Sequence, residues 1–229
     1  MTRISLAAAL LIPAALLSSC SSGIATRKEA IDTAWRYSTV SWTPQAAQAY
    51  HGPDKKGITV HTPDVDLAKA GLKNGWWKPG EPATGMPYKW GGFDTPESFK
   101  AALAKGHYAG DISTDEKQKK GDHAVSRQAA GIDCSGLVSR CWNLPRPFST
   151  KELPYICRKL DSWEELKPGD ILLNYRHVIL FAGWQEPGTM ILAYEAGPYP
   201  VWRVNAAAMR KDKLVTNGYA PWRYRGMVD

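Results

Sequence analysis

Apolar residues first recur at helical spacing at Ala30, Ile31, Ala34 and Trp35, which predicts a helix over residues 27–37. Residues 38–85 then alternate short apolar stretches with turn signals, Gly52-Pro53-Asp54, Thr62-Pro63-Asp64 and Lys78-Pro79-Gly80, and read as an irregular, Trp-rich arm. A second helix is expected over 96–105. The polar stretch 111–122 reads as an exposed loop. Residues 134–142 predict a third helix, introduced by Asp133 as N-cap. Residues 144–160 are interrupted by proline, 162–165 have capping-box spacing for a single helical turn, and Lys167-Pro168-Gly169-Asp170 is a turn. Three strands are expected over 170–173, 177–184 and 190–195, with edge strands over 200–204 and 219–224. A helix ahead of a run of antiparallel strands gives an α+β class, here with an N-terminal helical and irregular arm.

The 229 residues suit one domain with an arm, and no internal repeat interrupts them. Lys and Arg number 29 against 22 Asp and Glu, a formal charge of +7 that fits attraction to an anionic polymer. The basic residues are dispersed and form no stripe, which argues against a nucleic-acid partner. At the start, Arg3 precedes an apolar run over residues 4–17, broken by Ser5 and Pro13. That run is shorter than the roughly 20 residues of a bilayer span and reads as an export signal. Leu17-Ser18-Ser19-Cys20 resembles the lipobox of bacterial lipoproteins, which implies removal of residues 1–19 and acylation of Cys20. The mature chain would then be held on a membrane by lipid, and Ser21 resembles the sorting pattern of outer-membrane lipoproteins facing the periplasm. With Cys20 acylated, Cys134, Cys141 and Cys157 remain in an oxidising compartment. Their odd number leaves at least one without a partner in the chain.

Three residues carry candidate chemistry. Cys134 falls in the first turn of its predicted helix, where the partial positive end favours a thiolate and free N–H groups can hold an oxyanion. Alone, this thiol suits a buried inert cysteine equally well. His177 opens an apolar strand, a position that packed histidines also take. Pairing Gly183 with Thr189 in a hairpin would set His177 directly opposite Glu195, with Cβ atoms about 4.5–5.5 Å apart. A carboxylate there would orient the imidazole and stabilise its protonated form, although a slip of one residue would separate them. His51, His61, His107 and His123 lie in loop-like sequence without paired ligand spacing. Asp64 and Asp66 beside His61 read as a solvated turn. No zinc spacing and no phosphate-cradling glycine loop occurs, so neither a metal nor a cofactor is expected.

Asp133-Cys134-Ser135-Gly136-Leu137-Val138 resembles the nucleophile motif of the NlpC-like cysteine peptidases, bacterial enzymes that cut peptidoglycan stem peptides. Lys167-Pro168-Gly169-Asp170 with the His177-Val178 strand resembles that family's second block, and Pro87-Tyr88-Lys89-Trp90-Gly91-Gly92 the block preceding the cysteine. The resemblance implies a papain-like fold in which the cysteine helix packs on an antiparallel sheet. It implies Cys134 as nucleophile and His177 as general base, with Glu195 where the family usually has a His or another polar residue. Tyr88, Asp133 and Ser135 match positions that hold a free substrate amine, and Trp90 belongs to the same substrate-binding block. The expected substrate is a stem-peptide amide of peptidoglycan, between γ-D-glutamyl and a diamino acid.

On this reading residues 1–19 are signal, 20–85 tether and packed arm, and 86–229 the peptidase domain. The insertion at 93–131 is much longer than the family's usual link, and suits a lid over the cleft or a plain surface excursion. Cys141 and Cys157 have no catalytic counterpart. A disulfide between them would close a loop of 15 intervening residues, worth on the order of 3 kcal/mol, and leave Cys134 as the reduced thiol. Two rival readings keep the fold: a non-catalytic wall-binding lipoprotein with an aromatic cleft, and an amidase or acyltransferase using the same thioester. The oligomeric state is not legible in the sequence.

Overall fold

The computed structural model describes residues 24–229; the predicted signal segment and Cys20 lie outside them. No helix among the described residues is long and apolar enough to cross a membrane. Helix α1 (Arg27–Ser38) starts at a capping box in which the Thr26 hydroxyl accepts the Glu29 N–H and the Glu29 carboxylate accepts the Thr26 N–H. Its Ala30, Ala34 and Tyr37, at helical spacing, are buried.

Six strands form one antiparallel sheet: β1 (Cys157–Lys159), β2 (Ile171–Leu173), β3 (Val178–Glu186), β4 (Met190–Ala196), β5 (Val204–Arg210) and β6 (Ala220–Tyr224). Their spatial order is β5-β4-β3-β2-β6-β1. Alternation along the strands supplies two apolar faces. Val178, Leu180, Tyr194 and Ala196 join Leu137, Val138 and Trp142 in the larger core cluster, while Ile179, Phe181, Ile191 and Ala193 join Leu160, Leu166 and Leu214 in the smaller one. The cysteine-bearing helix α4 (Cys134–Cys141) packs on β3 and β4, and α1 packs on α4 and β5. The molecule is therefore mixed α/β around a six-stranded antiparallel sheet. The turn before β2 is held by Asp170, fully buried, which accepts from Arg27 at 3.1 Å and Arg223 at 2.6 Å. Trp142 closes the same corner, donating to the Gly169 carbonyl at 2.9 Å.

Several expected elements fall elsewhere. The edge strand expected over 200–204 lies instead at 204–210 (β5), because residues 198–202 form a tight turn on the Pro198 carbonyl. Strand β1, the short helix α5 (Leu153–Ile156) before it and helix α6 (Lys211–Thr216) were not anticipated. The stretch 111–122 is not an exposed loop: it contains helix α3 (Asp115–Lys120), Asp111 is fully buried, and Lys117 is buried against it as its ion-pair partner. Polar composition suggests solvent only when charges lack partners; a paired and hydrogen-bonded couple can be enclosed.

The arm and the 93–131 insertion, which carries α2 (Pro96–Ala104) and α3, pack on each other. Trp42 meets Phe99 of α2 edge-on at 5.2 Å, and Trp77 at 5.7 Å. Tyr50 stacks on Tyr108 at 4.2 Å, and the Ser126 hydroxyl donates to Asp54 at 2.7 Å. Trp42 and Trp77 of the arm thus belong to a core that also takes in Phe99 of the insertion, whereas Trp35 on α1 stays exposed.

Cys141 and Cys157 are both buried free thiols, so the expected disulfide is not formed. Cys141 ends α4 near Tyr37 and Tyr194, whereas Cys157 opens β1 beside Tyr224 and Arg225. The stacked pair Trp142 and Tyr224, 5.0 Å between rings, belongs to the same core.

Candidate active site

Cys134 is the first residue of α4. The Asp133 carboxylate accepts from the Gly136 N–H at 2.6 Å and from the Ser135 hydroxyl at 3.0 Å, which fixes the helix start. Burial pushes the Asp133 carboxyl up, opposed by these bonds and by the Lys89 charge. Close packing beneath the helix demands glycine at position 136: a Cβ there would lie 2.1 Å from the Gly92 carbonyl oxygen. Arg140 holds the following segment, donating to the Phe93 carbonyl at 3.0 Å while its guanidinium lies over the Phe93 ring.

His177 and Glu195 meet as the sequence suggests, but through a different register. Leu180 pairs with Tyr194 and Phe181 with Ala193, two residues away from the expected alignment, and bulges follow at Phe181/Gly183 and Trp184/Glu186. An offset of two keeps both side chains on the same side of the ladder, so Glu195 reaches His177 diagonally. The imidazole Nε2–H donates to Glu195 Oε2 at 2.7 Å, with side chains only 12% and 11% exposed. The same imidazole hydrogen-bonds the Cys134 sulfur. With Nε2 committed to Glu195, Nδ1 is the nitrogen left for the thiol. Burial opposes charge on His177, but the Cys134 charge and hydrogen bond, and then Glu195, together raise it to about 10.

Cys134 itself is 6% exposed. Tyr88 is buried beside it, its ring edge-on to Trp202 at 5.4 Å and its hydroxyl hydrogen-bonded to Ser113. Burial, then the charges of Cys134, Asp133 and Asp111, push the Tyr88 hydroxyl up. The Tyr88 backbone runs between the Trp202 carbonyl, 2.9 Å from its N–H, and a bridge to Ile132. The structure thus gathers Cys134, His177, Glu195 and Tyr88, with Asp133 and Ser135 bonded to each other below them. Trp90 points elsewhere: its indole donates to Gly121 of the insertion at 3.2 Å.

Sequence reasoning missed Asn174, Ser113, Trp202 and Tyr219. Asn174 had a local signal, its position three residues before His177, suited to a side-chain-capped turn. Tyr219 is brought to His177 only by the sheet. Among the described residues no group of three His, Cys, Asp or Glu side chains could hold a metal ion. The sulfur, imidazole and carboxylate form a chain in which a proton can move between sulfur and ring while the carboxylate stabilises the charged ring. No protein-family model, curated protein or solved structure matches the chain.

Proposed function

We propose that the protein is a cysteine peptidase of the bacterial cell wall, cutting a stem-peptide amide of peptidoglycan through a thioester. The observation that carries this reading is the hydrogen-bonded series Cys134, His177, Glu195, in which the imidazole lies 2.7 Å from the carboxylate and also bonds the sulfur. A helix bearing the cysteine against an antiparallel sheet, with the histidine just before a neighbouring strand, supports the papain-like arrangement that the NlpC-like resemblance implies.

In this mechanism the Cys134 thiolate attacks the amide carbonyl and forms the S–C bond. The oxyanion develops at the start of α4, where first-turn N–H groups and the helix dipole favour negative charge. His177 then gives its proton to the leaving nitrogen as the C–N bond breaks. Water, deprotonated by the neutral imidazole, attacks the thioester; the acid leaves and the proton returns to the Cys134–His177 pair. Glu195 holds the ring through its 2.7 Å hydrogen bond. The resemblance assigns Tyr88, Asp133 and Ser135 to the free amine of the substrate. The basic balance of the chain suits an anionic wall, and a lipid on Cys20 would hold the enzyme on the membrane beside it.

Incubation of the purified protein with defined muropeptides, with product masses read directly, tests the proposal. Cleavage at a γ-D-glutamyl–diamino acid bond that disappears in Cys134→Ala is the expected result. Undiminished cleavage by Cys134→Ala would overturn it.

A further inference from the structure

The hydrogen bond between His177 and Glu195 is nearly enclosed, and neither α4 nor β4 alone encloses it. The missing part comes from the far side of β2. In the sheet Leu173 pairs with both Val178 and Ala220, so the next step places Asn174 between His177 on one side and Tyr219 on the other. Asn174 acts in both directions. Its N–H donates to the His177 carbonyl at 3.0 Å. Its Oδ1 accepts from the N–H groups of Arg176 at 2.9 Å and His177 at 2.8 Å, closing the turn that aims the imidazole. Its Nδ2 donates to the Asn217 carbonyl at 3.1 Å, and its carboxamide is also hydrogen-bonded to the Tyr219 hydroxyl.

Tyr219 is set in place by the end of α6. Gly218, at a φ of +75°, turns the chain back, and the Tyr219 N–H donates to the Leu214 carbonyl at 3.0 Å. Its ring then stands edge-on to the imidazole, 6.5 Å between centroids and 85° between planes. Burial pushes the Tyr219 hydroxyl up, followed by the charges of Glu195 and Cys134.

We propose that Asn174 and Tyr219 are positioning residues for the acid–base pair: the carboxamide fixes the turn that presents His177, and the phenol ring roofs the His177–Glu195 hydrogen bond against water. The inference rests on the cysteine-peptidase reading and adds to it two residues that lie outside every motif carrying that reading. A charged hydrogen bond in a shielded site is stronger than the same bond in water, so the roof sets how firmly the imidazole holds its proton. The charged and titratable groups facing His177 are Cys134 from α4, Glu195 from β4 and Tyr219 from the segment before β6. Their net effect is upward. Letting water in therefore moves the imidazole back toward its ordinary value near 6.5.

The test uses Tyr219→Phe, Tyr219→Ala and Asn174→Ala in the full mature chain, read by imidazole titration in NMR and by muropeptide kinetics. Tyr219→Phe keeps the roof and should keep the wild-type titration midpoint. Tyr219→Ala should lower it by about one pH unit, a tenfold change in proton affinity, and should lower kcat far more than it changes KM. Asn174→Ala should also lower kcat with KM nearly unchanged. A folded Tyr219→Ala protein with an unshifted midpoint would overturn the proposal, as would a Tyr219→Phe protein as impaired as Tyr219→Ala. The titration needs no substrate. A midpoint that falls in a protein inert toward muropeptides would sustain the positioning role while ending the substrate assignment.

Discussion

Replacing Glu195 by Gln isolates the electrostatic part of the site. The amide keeps the shape and an acceptor oxygen but removes the charge facing His177 across 2.7 Å. Hydrogen bonds to charged groups contribute about 1.5–3 kcal/mol net, and both side chains here are shielded enough for that range to apply. At 1.36 kcal/mol per pH unit, the loss corresponds to about one to two units. Since burial, outweighed by Cys134 and Glu195, leaves the imidazole at about 10, its midpoint in Glu195→Gln should fall to about 8–9. The sign follows from linkage. A histidine whose folded value is raised from 6.5 to about 10 stabilises the fold fully below pH 6.5, and that contribution fades as pH rises through 10. In the same way kcat/KM in the wild type should hold into the alkaline range and decline as His177 loses its proton. NMR titration of the His177 ring and the pH profile of cleavage measure the two effects separately. An imidazole midpoint unchanged in Glu195→Gln would refute the reasoning, because the carboxylate would then contribute nothing to the charged ring.

Further outcomes follow from the same geometry. Alkylation of the native protein at mildly acidic pH should modify Cys134 alone, since burial pushes the Cys141 thiol up and raises Cys157 to about 12; peptide mapping showing equal labelling of all three would contradict this. Complete labelling of both Cys141 and Cys157 after unfolding without reductant would show that no disulfide joins them. Asp170→Asn strips the buried partner from Arg27 and Arg223 and should cost about 3–5 kcal/mol in denaturant unfolding, whereas a loss below about 1 kcal/mol would mean that water replaces the pairs. Gly136→Ala drives a methyl into the Gly92 carbonyl at 2.1 Å; overpacking of this kind costs about 1–3 kcal/mol or more, and a fully stable, fully active variant would show that α4 sits less tightly than described.

The chain by itself determined what short stretches can encode. Asp133 caps the helix that begins at Cys134 because a carboxylate two or three residues from free N–H groups is enough to start one. Helix α1, the capping box at Ser162 and the antiparallel strands around His177 follow equally from local spacing and turn chemistry. Even parity along two strands was sufficient to put His177 and Glu195 on one side. Only the tertiary structure decided the rest. Two bulges in the hairpin changed its alignment, and bulges depend on how a sheet twists against its neighbours. Lys117 could enter the interior only because Asp111 waits there, and composition cannot register a partner. Cys141 and Cys157 are both free and buried, one at the end of α4 and the other at the start of β1, an outcome that their spacing in the chain does not specify. Tyr219 stands beside His177, 42 positions earlier in the chain, through the antiparallel pairing of β2 with both β3 and β6. Caps, turns and periodicity are properties of a few neighbouring residues, but enclosure of an active site depends on which distant segments the sheet brings together.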